Sequence, residues 1–276
     1  NFIGASSAVL RDQGGNVVIN LFCGPVVNAA RGIASQVNTA VHGFVSNFMT
    51  ALNPQITKSY ASGNRDYMMT LIFQGARLSF YMLLVLSLPI FVNTYYILTL
   101  WLKIVPEHTA SFVQLILLFG LSESISNPLI TAMLATGKIR NYQLVVGGLQ
   151  LMNLPVSYIL LRIGLFPEIV IVVAIILSQC CLVARLLMLH RMIKLSIRKY
   201  LKKVYVNVCT VTLASSIIPC TYVKYNVTDT FGEFIVITLM SMLCVCVTIY
   251  YIGCTKKERN FINNKLKYYI SKRIRL

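Results

Sequence analysis

Eight apolar stretches, each long enough to cross a lipid bilayer, run almost the whole length of the chain: 2–23, 25–50, 68–100, 109–136, 142–163, 167–190, 204–223 and 232–253. A helix needs about 20 apolar residues to span the hydrocarbon core. Inside that core each backbone N–H and C=O must find a partner within the protein, which leaves helices and closed barrels as the only spanning folds. The short alternating segments of a barrel are absent from the sequence. Composition agrees: 57% of residues are hydrophobic and 12% are charged, where a soluble domain carries about 25% charged residues. The expected architecture is an all-α integral membrane protein. It has a transmembrane lobe over residues 1–253 and a basic tail over 254–276.

The formal charge of +17 raises the question of nucleic acid, and the distribution of the basic residues answers it. Nineteen of the 25 lysines and arginines fall in connections on one side of the eight-span arrangement. These run from Lys58 and Arg65, through Lys138 and Arg140, to the group from Arg185 to Lys203 and the tail. The opposite connections hold Lys103, Arg162 and Lys224, beside Glu107, Glu168, Asp229 and Glu233. Cytoplasmic loops of polytopic proteins carry such an excess, so both termini are expected in the cytoplasm and nucleic acid is not an expected partner. The tail "KKERNFINNKLKYYISKRIRL" mixes basic and aromatic residues and is expected to lie on anionic lipid head groups.

Three basic residues remain, Arg11, Arg31 and Arg77, and all three fall within spans together with Asp12 and Glu123. A charge at mid-bilayer costs about 2.5 kcal/mol or more, so it normally faces a partner or a wet cavity and marks a transport path. The polar residues of span 25–50, namely Asn28, Arg31, Ser35, Asn38, His42 and Ser46, recur at steps of three or four and share one helix face. Asp12, Asn16 and Asn20 form a similar stripe, Gln74, Arg77 and Tyr81 line up on the third span, and Glu123 and Asn127 are one turn apart. Packing explains part of this pattern. Polar side chains also join helices within membranes, and small residues such as Gly14, Gly15, Ala29 and Gly32 allow close contact. Arg11 with Asp12 fits a buried structural ion pair as well as a cavity. Arg77 is close enough to a span end to snorkel, and His42 suits a hydrogen-bonded helix contact. Glu123 has no partner on its own helix and is the best single candidate for a group that responds to protons or cations. Pro128 and Pro155 lie inside spans and should kink them.

No catalytic constellation is visible. There is no Ser/His/Asp set, no HExxH and no phosphate loop, and the outer loops are too short for a glycosyltransferase or polymerase site. The chain is not expected to be an enzyme or to carry a cofactor or metal. Seven of the eight cysteines sit in apolar runs without a CxxC, where cysteine behaves as a small hydrophobe.

The run "GPVVNAARGIASQVNTAVHGFVSNFMTALNPQITKSYASGNRDYM" (24–68), preceded by "LRDQGGNVVINLF", resembles the second-half signature of Wzx-type polysaccharide flippases. These belong to the superfamily that includes MATE exporters and the lipid II flippase (the MOP superfamily). The remaining spans match in number and spacing. The resemblance implies that the chain is the second lobe of a two-lobe transporter, with an N-terminal lobe as its partner and a fragment the expected status. It implies the flipping of an undecaprenyl-diphosphate-linked oligosaccharide, such as an O-antigen or lipopolysaccharide unit, across the bacterial inner membrane by alternating access. Polysaccharide polymerase machinery is a further implied partner. A cavity holding Arg11, Arg31 and Arg77, with Asn38 and Gln74, would attract the diphosphate, and Asp12, Glu123 or His42 would couple transport to a proton or cation. A MATE-type cation or drug antiporter, and a non-transporting scaffold of a polysaccharide assembly complex, are the competing readings.

Overall fold

A computed structural model of the chain describes residues 2–225, 230–261 and 263–265, with side chains from Val9 onward. The tail residues 266–276, and Asp229 among the outer-loop acids, lie outside the described residues. Everything described is helical or connecting, and seven continuous stretches are long and apolar enough to cross a membrane.

The first of these stretches is two helical arms. Helix α1 (Phe2–Ala61) contains one non-helical residue, Gly24, with φ 84° and ψ 175°. Only glycine adopts that backbone without strain. The chain reverses there, because the Arg31 Nη1 atom donates to the backbone oxygen of Asp12 at 3.2 Å across 19 residues. A straight helix would hold those positions about 28 Å apart. Pro25 opens the second arm, where its fixed φ and missing N–H cost nothing. The "GP" pair is therefore a hairpin between antiparallel arms 2–23 and 25–61, each long enough to cross a bilayer, so the seven stretches hold eight arms among the described residues. The second arm is about 55 Å long and outreaches a bilayer core of about 30 Å.

Three of the other crossings are broken. Helix α2 (Arg65–Val92) gives way to α3 (Thr94–Leu102) at Asn93, helix α4 (Thr109–Ser124) to α5 (Asn127–Ala135), and α6 (Ile139–Leu151) to α7 (Asn153–Arg162). The last two breaks follow from proline. Pro128 and Pro155 cannot donate to the carbonyls four residues earlier, at Ser124 and Leu151, and those are the last residues of α4 and α6. At the α4–α5 break a side chain serves the backbone: the Tyr200 hydroxyl donates to Ile125 O, next to the freed Ser124 carbonyl, at 2.9 Å. The break at Asn93, inside the continuous span expected over 68–100, is satisfied by Thr94, whose hydroxyl reaches Ile90 O at 2.7 Å and Phe91 O at 2.9 Å.

Helix α8 (Ile169–Ile193) and the short α9 (Ile197–Tyr200) follow. A π-helical turn (Leu201–Tyr205) leads into α10 (Val206–Tyr225), and α11 (Phe231–Thr248) closes with a second π-helical turn, Ile249–Gly253. Helix α11 fully buries only Ile237, Ser241 and Val245, a stripe at every fourth residue, and leaves Ile235, Val236, Leu239, Leu243 and Val247 exposed. Small residues on such stripes let helices approach closely where lipid removes the hydrophobic drive for association.

Arg185, counted from the sequence among the loop cations, is instead within α8 and only 4% exposed. The opposite ends of α4 and α8 are tied by His108 Nδ1 and Glu168 Oε1 at 2.8 Å.

Candidate functional site

The α1 hairpin brings two polar stripes face to face. One arm carries Asp12 and Asn16, the other Arg31, Ser35, Asn38 and His42. Together with one face of α4 they line a half-open cavity of about 810 Å³. Its walls include Gln13, Gln36, Thr39 and Phe119, none of which was singled out for the cavity from sequence.

Arg11 is the best-held charge in the cavity. Its Nε lies 2.9 Å from Asp12 Oδ1 and its Nη1 lies 3.2 Å from Glu123 Oε1. The guanidinium also stacks 5.1 Å from the centre of the Phe119 ring, which adds a cation–π attraction. Its side chain is 13% exposed, against 30% for Glu123 and 60% for Asp12. Arg11 is thus a buried cation gripped by two carboxylates that themselves meet the cavity water. The partner missing from Glu123's own helix is 112 residues away in sequence.

Arg31 is held differently. It donates to Asp12 O and to Asn16 Oδ1, and Asn16 in turn donates to Gln13 Oε1 at 3.3 Å. Among the described residues no carboxylate comes within ion-pair distance of it, and its Nε is buried without a hydrogen-bond acceptor. Neutral acceptors fix the direction of this guanidinium, and the Asp12 carboxylate acts on it only through space.

Two glycines seat these side chains. A Cβ on Gly15 would stand 2.9 Å from Arg31 Nη2, and one on Gly120 would stand 2.8 Å from Asn38 Oδ1 and 2.9 Å from His42 Nε2. Gly14, its neighbour, instead makes room for Leu154 of α7, so of the adjacent pair one glycine serves packing and the other the cavity.

Of the eight residues expected in the site, the structure brings together Arg11, Asp12, Arg31, Asn38, His42 and Glu123. It does not bring Arg77 or Gln74 to them. Arg77 Nη1 donates to Gly253 O at 2.9 Å and its Nη2 pairs with Glu258 Oε1 at 2.6 Å. Gly253 ends the last crossing, so Arg77 stands where that crossing ends, and Gln74 lies one turn further out on the same helix. Helix α2 has 28 residues, about 42 Å, and its first turns extend past the bilayer core. A second polar cluster, in which Tyr205 donates to Gln179, Gln179 to Ser122, and Ser122 shares a hydrogen bond with Ser178, joins α4, α8 and the π turn before α10 without opening into the cavity.

No family model, no curated protein and no solved structure matches this chain.

Proposed function

We propose that this multi-pass membrane protein is one lobe of a transporter that moves an undecaprenyl-diphosphate-linked oligosaccharide across the bacterial inner membrane by alternating access. The observation that carries the reading is Arg31: a guanidinium in a water-accessible cavity among membrane helices, oriented by neutral groups and lacking a carboxylate partner among the described residues. Guanidinium pairs with phosphate oxygens in a fork geometry, so a lipid diphosphate entering the cavity would gain at Arg31 without displacing an acid. Polar neighbours such as Gln36, Asn38 and Thr39 suit sugar hydroxyls. The resemblance over residues 24–68 points the same way, and a facing lobe would close the open side.

With Arg77 elsewhere, the cavity holds two guanidiniums and two carboxylates and is formally neutral. The preference for an anion therefore rests on how the charges are arranged. Asp12 and Glu123 compete with a second phosphate for Arg11, and a proton or cation taken up by either carboxylate would release Arg11 to the substrate. That exchange would couple transport to an ion gradient. The exposure of the Asp12 side chain, 60%, is what favours the second reading, a cation or drug antiporter.

The test is complementation. Wild type, Arg31→Ala and Arg31→Lys are expressed with the implied first lobe in a flippase-deficient strain, and surface polysaccharide is assayed at matched protein levels. The expected result is restoration by wild type, loss in Arg31→Ala with lipid-linked repeat units accumulating, and partial function in Arg31→Lys. Full activity in Arg31→Ala would remove the assignment. Failure of wild type alongside Asp12-dependent efflux of a cationic dye would select the antiporter.

A further inference from the structure

A second cavity, of about 770 Å³, sits at the opposite end of the molecule's charge pattern and shares no residue with the first. It lies between α2, the π turn before α10 and the segment that follows Gly253. Four lysines line it, Lys202, Lys203, Lys256 and Lys257, and no carboxylate does. Thr70, Asn207 and Thr255 add neutral polar groups. The nearest acid, Glu258, is engaged by Arg77 at 2.6 Å and by the backbone N–H of Thr255 at 2.7 Å.

The depth of this cavity is set by Arg77, which lines it and binds the carbonyl of Gly253, the end of the last crossing. From Phe231 to Gly253 that crossing runs about 34 Å, close to the thickness of a bilayer core. The lysines therefore stand at the boundary between acyl chains and head groups. An adjoining cavity of about 440 Å³ shares Gln74 and Lys257 with the lysine cavity and is lined also by Leu78, Cys254 and Phe261, and by Glu258, whose carboxylate is held by Arg77. A polar, cationic chamber thus opens beside an apolar one at the membrane interface. Two of the four lysines ride on a π-helical turn, a widened backbone found mostly where helices serve a site.

We propose that this pair of cavities binds an anionic glycerophospholipid of the surrounding bilayer, with its phosphodiester among Lys202, Lys203, Lys256 and Lys257 and the start of an acyl chain against Leu78 and Phe261. Basic pockets between membrane helices recognise acidic head groups in this way. The chemistry recognised is a phosphate oxyanion, and the apolar annex commits the occupant to a lipid. Arg77 anchors the arrangement by fixing the end of the last crossing and by neutralising Glu258 in an ion pair.

The experiment uses the full chain in phosphatidylcholine nanodiscs doped with phosphatidylglycerol, with bound lipid counted by native mass spectrometry after gentle release. The variant K202Q/K257Q changes two exposed side chains that make no hydrogen bond or ion pair among the described residues. The variant K138Q/R140Q removes two cations elsewhere on the same face. Phosphatidylglycerol retention should fall about 30-fold in K202Q/K257Q, as expected for the loss of two interfacial lysines, and hold in K138Q/R140Q. Unchanged retention in K202Q/K257Q, or an equal fall in both variants, would overturn the pocket in favour of diffuse attraction to a basic surface. Release of phosphatidylglycerol by inorganic phosphate at equal concentration would overturn the lipid assignment.

Discussion

The grip of Glu123 on Arg11 makes a quantitative prediction for a double-mutant cycle. The two groups approach to 3.2 Å, which sets their charge centres about 4 Å apart. At an effective dielectric near 20 that separation is worth about 4 kcal/mol. Glu123 is 30% exposed to the cavity, and water there at least doubles the effective dielectric, so about 2 kcal/mol should remain. Arg11→Met leaves Glu123 and Asp12 facing each other, and Glu123→Gln leaves Arg11 with Asp12 alone. Each single change should cost more than its share, and the double variant should be about 2 kcal/mol less destabilised than the sum of the two. Reversible unfolding of the purified chain in mixed micelles, at one ionic strength for all four proteins, measures the cycle. A coupling below about 0.5 kcal/mol would refute the reasoning. It would mean that Asp12 alone neutralises Arg11 and that Glu123 is solvated by the cavity.

Gly120→Ala should leave stability within about 1 kcal/mol of wild type, because alanine favours the helix and the atoms it meets are the ends of the Asn38 and His42 side chains. In the complementation assay of Arg31 it should still lower transport, because those ends must leave the cavity wall; wild-type transport would separate them from the site. Gly24→Ala forces a non-glycine residue to φ 84° and should cost about 1–3 kcal/mol, read by the same unfolding measurement, although nothing touches the added Cβ. Tyr200→Phe removes the donor to the buried Ile125 carbonyl at the α4–α5 break and should cost about 1–3 kcal/mol, with amide exchange rising locally in α4 and α5.

The crossings were legible because their signal is local. Apolar runs of the right length mark the spans, "GP" marks the reversal, and Pro128 and Pro155 stop the helix at the carbonyls they cannot serve. The cavity stripe was legible for the same reason: Arg31, Ser35, Asn38 and His42 repeat at helical spacing on one segment. What sequence could not give was the pairing of distant segments. Arg77 and Arg31 look alike as cations in apolar runs, and only the contacts of Arg77 with Gly253 and with Glu258, 181 residues on, set it beside the end of the last crossing. Arg185 was misplaced for the related reason that a basic residue about two turns from a helix end reads as part of the next loop. Gly15 and Gly120 carried no usable signal, since a glycine that seats a side chain and one that seats a neighbouring helix look the same until the neighbour is known.

The turn at Gly24 also bears on how the chain enters the bilayer. The two arms that carry Arg11, Asp12 and Arg31 are consecutive in sequence and joined by a single residue, so the entropy of bringing them together is near its minimum. A lone first arm would meet lipid with an ion pair exposed, and a lone second arm with a bare guanidinium. Inserted as a unit, the hairpin lets Arg31 reach the Asp12 carbonyl and Asn16 before any other helix has arrived. The feature that builds the cavity wall thereby makes its charges tolerable at the moment of membrane integration.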